Sequence, residues 1–134
     1  MKKHSKRWKE FCQVIEIVDI RIDKQQRMLV KLRKRNQELQ DQIEEFWRRI
    51  ELLQQELKSL VVVKENNALS RLFMRRESVK TSIESVFFDA SIARQKAEDL
   101  ASEIELVEAE KRRLEKRKDA LHEIREELRY EKAC

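Results

Sequence analysis

Neither a glycine nor a proline occurs anywhere in the 134 residues of this chain. Those two residues supply most tight turns and most left-handed backbone positions, so a fold built from many short elements is closed to it. A few long helices remain. Charged residues make up 43% of the chain, hydrophobic ones 40% and aromatic ones 6%, which is too little apolar material for a layered core but enough for one stripe along a helix. The fold class expected is all-α, and a β-rich architecture is not.

In the first half the apolar residues recur in alternating steps of three and four, the period of a coiled-coil seam. The a positions are Trp8, Ile15, Ile22, Leu29, Asn36, Ile43, Ile50 and Leu57, and the d positions are Phe11, Val18, Gln25, Leu32, Leu39, Phe46, Leu53 and Leu60. Only Gln25 and Asn36 interrupt the stripe. The segment VIEIVDIRI alternates like a strand, but a period that continues for over fifty residues outweighs it, because strands rarely exceed about ten. The second half repeats the pattern with d positions Leu72, Val79, Val86, Ala93, Leu100, Val107, Leu114, Leu121 and Leu128. Its a positions are Arg76, Ile83, Ala90, Ala97, Ile104, Lys111, Lys118 and Arg125, half of them basic.

Between the halves the heptad phase slips by one residue inside VVVKENNALS, residues 61–70. Asn66 and Asn67 suit a chain reversal, since Asn tolerates the left-handed conformation that ends one helix and caps the next, and the three valines before them mildly discourage helix. The chain is therefore expected to form a single antiparallel coiled-coil hairpin, with helix 1 over about 5–64, a turn at about 65–68 and helix 2 over about 69–131. At 1.5 Å per residue each arm would be about 90 Å long. Folding at that turn would set Leu39 against Ala90, Leu32 against Ala97, Phe46 against Ile83 and Asn36 against Ala93. A polar residue in such a seam fixes register.

No catalytic constellation accompanies this pattern. The sequence has no Gly-rich phosphate loop, His4 and His122 stand alone among charges, and Cys12 and Cys134 lack metal-ligand spacing. Carboxylates repeated along a helix are ordinarily solvated and offset by neighbouring lysines. The expectation is a non-enzymatic protein with no cofactor and with free thiols. MKKHSKRWKEFCQ is basic, but no long apolar run follows it, so neither a secretory signal nor a membrane span is expected, and the expected compartment is the cytoplasm.

Charge is distributed unevenly. Residues 98–110, EDLASEIELVEAE, carry six acids and no base, whereas KRRLEKRK at 111–118 carries six bases and one acid, and MKKHSKRWK carries five bases and no acid. In the expected register 111–118 lies beside 11–18, which concentrates the two basic clusters at the end holding the termini. Lys111, Lys118 and Arg125 fall on the seam itself and are expected to loosen it there. A second exposed feature lies toward the turn: Trp47, Phe73, Met74, Phe87 and Phe88 occupy e and f positions, as part of a widened core or as a docking patch for another protein.

A short, highly charged helical hairpin without Gly or Pro, carrying basic clusters such as KRRLEKRK, resembles the central-stalk proteins of bacterial type III secretion and flagellar export, the FliJ and YscO type. The resemblance covers nearly the whole chain and is one of length, pattern and charge. It implies a stalk that inserts into a hexameric secretion ATPase, promotes its assembly and activity, and links it to the export gate and secretion chaperones. The bases that fit the ring contact are Lys2, Lys3, Lys6, Arg7, Lys9, Lys111, Arg112, Arg113, Lys116 and Arg117. A generic coiled-coil tether or oligomerisation module would carry the same heptads. A nucleic-acid binder fits the pattern less well: despite the net charge of +5, the bases are interleaved with acids and no aromatics alternate with them.

Overall fold

The computed structural model describes residues 6–60 and 68–131. It is an all-α helical hairpin of two elements, α1 (Lys6–Ser59) and α2 (Ala68–Glu131). Both helices hold without interruption because nothing in them breaks the backbone ladder, and local side-chain pairs support them. Glu45–Arg48 at 2.8 Å, Glu77–Lys80 at 3.6 Å and Arg94–Glu98 at 3.6 Å are neighbours on one helical face. The hydroxyls of Thr81 and Ser91, which could compete with the helix, instead donate to the carbonyls of Glu77 and Phe87, one turn earlier in the same helix. VIEIVDIRI lies wholly within α1, so the long period overrides its β-branched residues.

α1 ends at Ser59, whose hydroxyl donates to the carbonyl of Glu56 at 2.8 Å and satisfies one of the open carbonyls of the last turn. Leu60 is already outside the helix, short of the end expected near residue 64. Residues 61–67, with most of the expected turn, lie outside the described residues, as do Lys2, Lys3, His4 and Cys134.

Burial follows the heptads closely. All sixteen a and d positions from Trp8 to Leu60 are buried or half-buried. On α2 the same holds from Leu72 to Leu128 with one exception, Arg76, which is exposed. Arginine at an a position near the start of α2 can turn its guanidinium to water at little cost.

By compactness the chain divides into two units, Met1–Lys34 with Ser102–Cys134, and Arg35–Ala101. The core of the first, here the terminal unit, contains Ile15, Val18, Leu29, Val107 and Leu114; that of the second, the inner unit, contains Leu39, Ile50, Val79, Val86, Ala90, Ala93 and Ala97. Each of these is a seam position. Among the described residues no polar or charged side chain is fully buried.

Pairing across the terminal unit is antiparallel, and its register differs from expectation. Lys111 reaches Gln26, Lys118 reaches Asp19, and Arg125 reaches Cys12, whereas the expected register placed Lys111 beside Val18 and Lys118 beside Phe11. The contacts lie about one heptad farther along α1. In the inner unit Asn36 lines one groove with Ala97 and Ala101, which flank Leu100, and the expected partner Ala93 is not part of that lining. A slide by one heptad leaves every apolar a and d layer intact, so the hydrophobic pattern alone does not distinguish the two alignments.

Candidate protein-binding surfaces

The basic seam positions of α2 are not a loosened stretch, as the sequence suggested, because α1 presents a partner for each. Cys12, Asp19 and Gln26 recur at heptad spacing on α1, all at the e position, one residue past the d positions Phe11, Val18 and Gln25. The Lys111 ammonium donates to Gln26 Oε1 at 2.7 Å and lies 3.6 Å from Glu115 Oε1. Lys118 Nζ is 2.5 Å from Asp19 Oδ1. Arg125 donates to Cys12 Sγ at 3.6 Å, meets His122 Nδ1 at 2.9 Å and lies 5.8 Å from the centroid of the Trp8 ring. Long side chains at a lay their stems along the seam and carry their charge to its edge, where the e residues wait. The periodic polar e column was the signal available in the sequence; scoring the a and d positions alone misses it.

The hydrogen bond to Asp19 is the main reason the Lys118 ammonium is held above its ordinary range, aided by the charges of Asp19, Asp119 and Asp23 and opposed by burial. A lysine whose folded value is raised contributes stability that is fully present below its unfolded value and is lost as pH rises through the folded one. The difference in melting temperature between the wild type and Lys118→Gln should therefore be constant over the neutral range and close as pH passes about 10.4 and beyond. A gap above about pH 10.4 as large as the one at neutral pH would assign the effect to packing instead of charge.

Of the bases expected at a ring contact, the structure separates two kinds. Lys6, Arg7, Lys9, Arg112, Lys116 and Arg117 are exposed and make no ion pair among the described residues. Lys111 is turned to the seam. Arg113 holds Glu110 through two hydrogen bonds, at 2.9 and 2.6 Å. That pairing lowers the Glu110 carboxyl and raises the Arg113 guanidinium, in each case first through the hydrogen bond. Arg33, in the basic run KLRKR at 31–35 of α1, is likewise engaged by Glu108 at 2.8 Å.

The expected aromatic patch lies in the inner unit, and all five members are exposed. Trp47 and Phe87 meet edge to face with ring centroids 5.5 Å apart, which accounts for part of the patch as widened core. Three buried alanines, Ala90, Ala93 and Ala97, offer little apolar area to the seam there, and the paired rings add some beside it. Phe88 remains 65% exposed. Phe73 and Met74 are two heptads earlier on α2, about 20 Å along the helix, and form a separate group with Leu69. Leu69 and Leu106, 70% and 73% exposed, were not among the expected site residues. A lone apolar side chain off the seam carries no periodic signal.

Beside Trp47 runs a shallow groove lined by Asn36, Gln40, Ile43, Arg94, Ala97, Glu98 and Ala101. The Asn36 amide oxygen is buried at its floor with no hydrogen-bond partner. Among the described residues no group of His, Cys, Asp and Glu side chains is placed to hold a metal ion, and no helix is long and apolar enough to cross a membrane. No protein-family model, curated protein or solved structure shows significant similarity to the chain.

Proposed function

We propose that the chain is a non-enzymatic central stalk of a type III secretion-type ATPase, its basic terminal unit engaging the hexameric ring and its inner unit presenting Trp47, Phe87 and Phe88 to a second partner, the export gate or a secretion chaperone. In this reading the protein works in the cytoplasm. The observation that carries it is the set of six bases, Lys6, Arg7, Lys9, Arg112, Lys116 and Arg117, exposed and without ion pairs among the described residues, in one compact unit. Elsewhere on these helices some bases are neutralised by an acid one turn away, as in Arg35–Glu38 and Glu45–Arg48. Unpaired bases on a rigid helical surface can make many weak contacts with a carboxylate-rich ring without fixing a single orientation.

The test is an ATPase assay with the partner enzyme. Arg112→Glu, Lys116→Glu and Arg117→Glu combined should abolish stimulation and leave the far-UV helical signal intact, since none of the three touches the seam. Lys111 and Arg113 are left unchanged because the fold already uses them. Phe88→Ser should spare stimulation and weaken the second partner. If the charge reversal stimulates as the wild type does, or no such ATPase responds to the wild type, the stalk reading fails and the helical tether replaces it.

A further inference from the structure

We propose that the first two turns of α2, residues 68–76, form a peripheral binding surface for an anionic phospholipid membrane. Three large apolar side chains stand out there: Leu69, Phe73 and Met74 are 70%, 63% and 69% exposed. At about 100° per residue they span an arc of about 140°. Leu72, half-buried, marks the seam outside that arc.

Arginines border the apolar arc on both sides. Arg76 projects about 20° before Leu69, and Arg71 about 60° beyond Met74. Residues 68–76 contain no acid, and the first acid after them, Glu77, lies 3.6 Å from Lys80. Arg75 is committed to Glu56 of α1. Arg76 is exposed and has no ion pair among the described residues.

This is the chemistry of an interfacial helix. Apolar side chains enter the acyl boundary, arginine stems lie along it, and the Arg76 guanidinium rises to a phosphate, which it binds in a fork, while Arg71 adds positive charge at the other border. A partner helix is a poorer fit, because helix grooves take a narrow stripe repeated over several turns. Here the apolar arc is broad and only two turns long. The surface would lie on the membrane, in keeping with the absence of any spanning helix among the described residues. The proposal is independent of the stalk reading, which rests on bases of the other compact unit.

The experiment is co-sedimentation of the full chain with vesicles of phosphatidylcholine alone and of equal phosphatidylcholine and phosphatidylglycerol. Binding is expected only to the anionic vesicles and should weaken several-fold as salt is raised. Leu69→Ser, Phe73→Ser and Met74→Ser together should lower the partition coefficient about tenfold or more. Arg71→Gln with Arg76→Gln should lower it several-fold. Lys31→Gln with Lys34→Gln, which removes the same two positive charges from elsewhere on the chain, should retain binding within about threefold.

Absence of binding, or a triple variant that binds like the wild type, overturns the proposal; so does loss of binding in the Lys31/Lys34 variant, which would indicate general attraction by a basic chain. A lipid-free dimer that the triple variant abolishes, with vesicles left unbound, would make the patch an interface between copies and also overturn it. Should the triple variant lose its helical signal, Phe73→Trp decides. Brominated lipid in anionic vesicles is expected to quench it beyond the quenching of Trp8 and Trp47 in the wild type. No added quenching rejects the surface.

Discussion

Leu114→Ala and Leu29→Ala should each destabilise the hairpin by about 2–5 kcal/mol, the range for removing a fully enclosed leucine and leaving part of its space unfilled. Both side chains are 1% exposed. Leu114 sits between Lys111 and Lys118, so its layer is the apolar one in a stretch whose neighbouring a positions are charged. Relaxation there is limited, because the lysine stems are held by Gln26 and Asp19. Denaturant melts with Leu106→Ala as a control measure the effect. Leu106 is 73% exposed, and its truncation should stay within about 0.5 kcal/mol. A loss below about 1 kcal/mol for Leu114→Ala would mean that the seam of the terminal unit is not closed in solution.

Asn36→Leu should act in the opposite direction. The amide oxygen is buried without a partner, and an unsatisfied polar group costs about 1–3 kcal/mol, so leucine at this a position should raise stability by about that amount. The same change should broaden the choice of alignment or oligomeric state, because the polar residue favours placement at the groove, where one side is open. Thermal melts and sedimentation velocity report the two effects. Unchanged or lowered stability would show that water in the groove already satisfies the oxygen.

The fold was legible because a single rule governs it. Removing Gly and Pro leaves helices, and a seven-residue period sustained through both halves states which face of each helix is covered. Every fully buried side chain among the described residues lies on a seam position named from the sequence alone. Arg76 is the position that departs, and it does so near the start of α2, where long charged side chains escape most easily.

Register was not legible from the apolar residues, since shifting by one heptad exchanges equivalent layers. The expected pairing came from placing the turn at 65–68, and a reversal of a few residues' different length moves the whole alignment. The polar column Cys12, Asp19 and Gln26 held the answer but reads as ordinary surface until the second helix is laid beside it. For the candidate surfaces the sequence identified the basic runs and the aromatic group. It could not tell Arg112 from Arg113, adjacent residues of one type, because the difference lies in the side-chain contact with Glu110.

The three polar rungs of the terminal unit have a consequence for alignment. Two heptad-repeating helices resemble the scales of a slide rule, with marks that coincide again at every seventh residue. Slid one notch in one direction, Lys111 would meet Arg33, and like charges would oppose each other. Slid one notch the other way, Lys118 would exchange Asp19 for Cys12, and Arg125 would leave both Cys12 and the Trp8 ring. One rung is a surface ion pair and the other two are hydrogen bonds to neutral groups at the edge of the seam, contacts that add little to the strength of the hairpin. Their effect is to make neighbouring notches unequal, which lets a seam of interchangeable apolar layers come to rest at one of them.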